Sequence, residues 1–179
     1  MHMATATKTW TLEELHSLPD DGNKYELIRG ELFVTPPPTD HHETISARLS
    51  RQLDRYVAAN GLGFVYHPRA VVRYQGSEVE PDLMVRQPQD QRNADWDGAP
   101  LPILIVEILS GSTRRRDHEH KRDFYMDAGV AAYWIVDPDR RCIRIIQPGV
   151  PDDIVNDTLA WTPKGMKEPF ILDVQTLFT

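Results

Sequence analysis

Pro102-Ile103-Leu104-Ile105-Val106-Glu107-Ile108-Leu109 is the most apolar run of the chain, and it carries one acid. A short aliphatic run rich in β-branched residues reads as a strand covered on both faces, the kind found inside a sheet flanked by helices. An ionised carboxylate there is costly unless a metal ion, a paired cation or a catalytic task compensates it. A structural ion pair is the bland reading of Glu107, and a lone buried acid does not decide between the two.

Upstream, Val79-Glu80-Pro81-Asp82-Leu83-Met84-Val85 places a second acid in an apolar segment, directly after a proline. Proline removes a ladder donor and marks an edge, bulge or bend, the kind of break that aims a side chain out of register. Taken alone, Asp82 is better explained as a turn or strand-end residue. Two acids on neighbouring strands would converge where their repulsion must be neutralised. A hard divalent cation, Mg²⁺ or Mn²⁺, does this with carboxylate oxygens, water and substrate phosphate, and the backbone carbonyl of Ile108 is a further candidate ligand.

Downstream of Glu107 a helix is predicted from about Thr113 to Ala128, stopped by Gly129. It puts Asp117, Lys121 and Tyr125 on one face at four-residue steps, beside Phe124 and Ala128. A lysine among inward-facing aromatics suits an active site; its alternative is a surface pair with Asp117. The same region holds the densest positive run, Arg114-Arg115-Arg116 with His118, His120, Lys121 and Arg122, whose plain reading is a solvated helix face.

The remaining segments complete one α/β unit. Thr11 to Glu14 reads as a capping box opening a short helix, and Tyr25 to Val34 as a hairpin around Arg29-Gly30. A helix is expected from Asp40, with Glu43 in its first turn, to about Asn60, burying Ile45, Leu49, Leu53, Tyr56 and Val57. Strands follow at Gly63–His67, Ala70–Tyr74 and Glu78–Val85, with a turn at Gln75-Gly76 between the last two, then a polar loop from Gln87 to Ala99. Tyr133–Val136 and Cys142–Ile146 form a hairpin, and the tail, with Trp161 and Phe170-Ile171-Leu172, adds a short strand or helix at the edge. The predicted fold is mixed α/β, a central mixed sheet flanked by helices, in a single domain over 1–179 whose core spans about 24–147.

Composition bounds the function. With one cysteine, Cys142, neither an internal disulfide framework nor a cysteine zinc cluster can form, which suits a reducing cytoplasm. No stretch is long and apolar enough to span a membrane. A formal net charge of −7 argues against a protein that coats nucleic acid through its overall field, though not against a local basic site.

Pro81-Asp82 followed by Glu107-Ile108-Leu109 resembles the PD-(D/E)XK nuclease pattern. Tyr25-Glu26-Leu27-Ile28-Arg29-Gly30-Glu31-Leu32, Pro81-Asp82-Leu83, Ile105 to Arg114, Lys121 to Tyr125 and Gly129 to Pro138 resemble, in order, the Uma family of restriction-endonuclease-like proteins. The resemblance implies a restriction-endonuclease-like fold and a Mg²⁺- or Mn²⁺-dependent endonuclease acting on DNA, with a homodimer as the assembly. It implies Asp82 and Glu107 as metal ligands, Glu31 as a further acid, and His42 and Tyr125 as neighbours of the site. Arg114, Arg115 and Arg116 would hold the phosphate backbone. One departure stands out: the lysine usual two residues after the strand acid is Leu109 here, so its role falls to Lys121. Two other readings use the same residues, a non-catalytic module binding nucleic acid or protein, and a hydrolase of a small phosphorylated substrate.

Overall fold

The computed structural model describes residues 8–89, 95–110 and 116–179, with side chains in the last stretch from residue 119 onward. Its order is α1 (Leu12–His16), β1 (Lys24–Ile28), β2 (Glu31–Thr35), α2 (Asp40–Ala59), β3 (Phe64–Tyr66), β4 (Val72–Tyr74), β5 (Ser77–Val79), β6 (Leu83–Arg86), β7 (Leu104–Ile108), α3 (Arg116–Ala128), β8 (Tyr133–Asp137), β9 (Cys142–Ile146), β10 (Asp153–Val155), β11 (Thr158–Trp161) and β12 (Phe170–Asp173), closed by a 3₁₀ turn at Val174–Leu177.

Local chemistry sets these boundaries. Thr11 and Glu14 form a reciprocal capping box on α1, and Thr39 caps α2 by accepting from the His42 N–H, one residue ahead of the expected start at Asp40. The β1–β2 turn has Arg29 at φ 50° and Gly30 at φ 82°, the pair of left-handed residues that a two-residue hairpin needs.

A six-stranded mixed sheet in the order β10-β9-β8-β7-β6-β3 forms the centre, and a four-stranded antiparallel sheet, β2-β1-β5-β4, lies beside it. Within the larger sheet only the β7–β8 pair is parallel, joined through α3 as a βαβ crossover. Strand β7 is buried along its whole length, as its composition predicts. Its side chains alternate between two cores. Leu104, Val106 and Ile108 pack with Ile45, Leu49 and Leu53 of α2, while Ile105 packs with Phe124 and Tyr125 of α3 and with Val79 of the smaller sheet.

Two expectations change. The run Glu78–Val85, read as one strand, is two strands in different sheets, because Pro81 has no N–H to continue either ladder and the chain bends through Glu80-Pro81-Asp82. The tail is more than an edge: the β11–β12 hairpin and the 3₁₀ turn bury Trp161, Phe170, Leu172, Val174 and Leu177 in the first core, with Trp161 5.5 Å from Trp134, ring centre to ring centre. Among the described residues no helix is long and apolar enough to cross a membrane.

Candidate active site

The bend at Pro81 builds the site. The register Leu83↔Val106 and Met84↔Ile105 puts Asp82, one step beyond, across from Glu107 and on the same face of the sheet. The N–H groups of Ile105 and Leu109 go to β8, so that of Ile108 points toward β6, where the backbone has turned away. The Asp82 Oδ2 atom fills the gap, accepting that N–H at 2.7 Å. Glu26 does the same on the smaller sheet, its Oε1 accepting the Glu80 N–H at 2.9 Å. Two carboxylates thus replace the ladder bonds lost at Pro81.

Buried acids need cations, and the chain supplies them. Lys121 Nζ donates to Glu107 Oε1 at 2.9 Å and lies 2.9 Å from Glu26 Oε1, and Tyr125 donates its O–H to the same Glu107 oxygen at 2.8 Å. Asp82 Oδ1 lies 3.4 Å from Lys24 Nζ, which also donates to the Glu80 carbonyl at 3.1 Å. His42 Nε2 is 3.1 Å from Asp82 Oδ2, its other nitrogen facing Glu43. Glu26, Asp82, Glu107 and Lys121 are at most 6% exposed.

Environment divides the two expected ligands. Burial opposes ionisation of Asp82, but the charge of Lys24, the hydrogen bond from His42 and the charge of Lys121 outweigh it and hold the carboxyl well below the usual range. For Glu107 burial prevails over the pull of Lys121 and Lys24, aided by repulsion from Asp82 and Glu26, and its carboxyl is pushed up. Burial would lower Lys121 and Lys24, yet the surrounding carboxylates raise both, so each is a fixed cation rather than a proton acceptor. Asp82 likewise offsets burial to raise His42. Burial, then the Glu107 charge, drives the Tyr125 hydroxyl well up, leaving it an O–H donor.

Lys24, Glu26, His42, Asp82, Glu107 and Lys121 line a cavity of about 370 Å³ walled also by Pro36–Pro38, His67, Pro68 and Arg69, with Tyr125 buried behind Glu107. Two carboxylates facing a cavity suit a magnesium-like ion, which is held by one or two carboxylates with water and phosphate completing the shell. Glu107 Oε2 carries no hydrogen bond among the described residues, and Asp82 Oδ1 has only the long contact with Lys24. Among the described residues no three His, Cys, Asp or Glu side chains form a ready cage for a metal.

The structure gathers Asp82, Glu107, Ile108, Lys121, Tyr125 and His42 and leaves Glu31 aside. Glu31 opens β2, partly exposed, 3.9 Å from His120 Nδ1, and does not line the cavity. Glu26 takes the place expected for it. Ile108 contributes its N–H to the site. Arg114 and Arg115 lie outside the described residues, and Arg116 begins α3. Sequence reasoning missed Lys24 and Glu26. The usable signal was alternation: Lys24, Glu26 and Ile28 share one face of β1, and Ile28 is plainly a core residue.

A crystal structure described as a putative nuclease belonging to DUF820, from Anabaena variabilis, superposes with a TM-score of 0.75 at 18% identity, covering 94% of this chain and 97% of that one. The two chains share one fold over nearly their whole lengths. No curated protein matches the chain. The model of the family described as "Uma2: Putative restriction endonuclease" matches residues 12–174, a span that includes every group of the cavity, and the chain belongs to that family.

Proposed function

We propose that the protein is a metal-dependent endonuclease that hydrolyses phosphodiester bonds in DNA. The observation that carries the reading is the reach of Lys121: a lysine borne on α3 puts its ammonium 2.9 Å from the buried strand acid, Glu107, and so supplies the cation missing at Leu109.

Asp82 and Glu107 would hold Mg²⁺ or Mn²⁺, which when bound activates a water and offsets charge on the phosphate. The Ile108 N–H, His42 and Lys24 fix the Asp82 carboxylate, and Lys121 with Tyr125 fixes Glu107. Lys121, locked in the charged form, acts as a preorganised positive charge beside the phosphate as negative charge develops there, without taking a proton. Arg114, Arg115 and Arg116 would hold the backbone of the substrate next to the site, positioning it without reading bases.

Cleavage of plasmid and linear DNA with Mg²⁺ or Mn²⁺ tests this, comparing the parent with Asp82→Asn and Glu107→Gln. The expected loss exceeds about 100-fold, since outer-shell changes at metal sites already cost 10–100-fold. Equal rates in all three proteins would assign the activity to a contaminant.

A second reading rests on one observation: Lys24, Lys121 and His42 already compensate Glu26, Asp82 and Glu107. Such a network suits a non-catalytic module of the same fold. Salt-dependent DNA binding without turnover would favour it over the nuclease.

A further inference from the structure

Glu26 is the most buried acid lining the cavity, at 1% exposure. Its visible structural duty is to accept the Glu80 N–H where Pro81 breaks the ladder. That duty does not require a charge; a neutral amide oxygen would accept the same N–H, and burying a second carboxylate beside Glu107 costs far more than one hydrogen bond returns. The charge faces Lys121.

Lys121 is the group that most needs an anchor. It projects from α3 on a four-carbon stem with three donors and considerable rotamer freedom. Its ammonium is held between carboxylates from both sheets, Glu26 on β1 and Glu107 on β7, at the same distance of 2.9 Å. A single carboxylate fixes a distance; two from different sheets fix a position. Lys24 also feels the charge of Glu26, but its direct contacts are Asp82 at 3.4 Å and a backbone carbonyl.

We propose that Glu26 is a positioning residue for the nuclease reaction, which fixes the Lys121 ammonium at Glu107 through an ion pair spanning the two sheets. The proposal rests on the nuclease reading for its catalytic consequence, whereas the geometric part stands without it.

Two measurements on the full chain separate these. Lysine ammonium protons exchange with water too fast to be seen in most proteins, but a buried ammonium held by two carboxylates is shielded. In ¹⁵N-lysine-labelled protein the parent should show a protected Nζ–H signal that disappears in Lys121→Met. Glu26→Gln, which keeps the acceptor for Glu80, should broaden or abolish it while circular dichroism is unchanged. Glu26→Asp keeps the charge but withdraws it by one methylene, so it should weaken the signal less; it also serves as the deciding variant if Glu26→Gln does not fold.

In the cleavage assay Glu26→Gln should lower kcat about 10- to 100-fold with KM for DNA unchanged. Because Glu26 acts through Lys121, the double variant Glu26→Gln/Lys121→Met should cleave within about twofold of Lys121→Met alone. A protected signal that survives Glu26→Gln, or losses that multiply in the double variant, overturns the proposal. A parent that cleaves nothing overturns the nuclease reading, and the ammonium signal then still decides whether Glu26 positions Lys121.

Discussion

Lys121→Met removes the shared cation of two carboxylates that are 1% and 3% exposed, Glu26 and Glu107, while keeping a side chain of similar length. Breaking a buried pair by deleting one partner costs about 3–5 kcal/mol, because the charge left behind is uncompensated. Against a total stability of about 5–15 kcal/mol this is a large fraction. For a chain of this size each kcal/mol moves the melting point by roughly 2–4 °C, so the variant should melt roughly 6–20 °C lower at pH 8. The loss should also depend on pH. Burial already raises Glu107 in the folded state, and without Lys121 it rises further. Between an unfolded value of about 4.3 and the raised folded value, the native state binds the extra proton, so stability falls as pH rises through that window. At pH 5 the charge penalty on Glu107 is capped near 0.7 × 1.36, or about 1 kcal/mol, because protonation relieves the rest. Differential scanning calorimetry of parent and variant at pH 5 and pH 8 should therefore show a gap that shrinks on acidification. A variant melting within about 2 °C of the parent at pH 8, or a gap of equal size at both pH values, would refute the assignment of Lys121 as the buried counter-charge.

Asp82→Asn tests the opposite sign. The folded-state value of Asp82 is depressed by Lys24, His42 and Lys121 against its burial, so its contribution is present above the unfolded value of about 3.9 and is lost as pH falls through the lower folded value. The variant should lose about 1.5–3 kcal/mol at pH 7 in urea unfolding and show a flatter decline below pH 4; an acid limb as steep as the parent's would contradict this. Gly63→Ala tests the packing that carries β3. At φ 103° a Cβ would lie 2.2 Å from the Arg86 carbonyl oxygen, backbone that cannot step aside, so a loss of roughly 2–4 kcal/mol is expected in the same assay. A change under about 0.5 kcal/mol would mean that β3 is not seated against β6 as described.

The elements that periodicity and turn chemistry specify were legible. The α2 stripe, the Arg29-Gly30 turn and the unbroken burial of β7 follow from residues within one turn or one strand of each other. What was not legible depends on partners distant in sequence. Glu78–Val85 alternates like a single strand, and only the pairing of β5 with β1 and of β6 with β7 shows that Pro81 splits it between sheets. The aromatics Trp161 and Phe170 announce burial but not which face they cover.

The site divides along the same line. Asp82 and Glu107 could be singled out because each breaks an apolar strand, and a polar residue without a local reason is visible in one dimension. Lys24 and Glu26 have a local reason, a hairpin strand that alternates acceptably, so their convergence on the acids is invisible until β1 is set beside the bend. The lysine makes the point most sharply. Position 109 shares a face with Glu107 by the period of two, and there the partly buried Leu109 packs against the Phe124–Tyr125 core. A helix returning over the strand at four-residue steps places Tyr125 and Lys121 on the same Glu107 oxygen. With Leu109 in that core, the ammonium bonded to Glu107 comes from the covering helix. A motif defined by spacing along one strand cannot register that exchange.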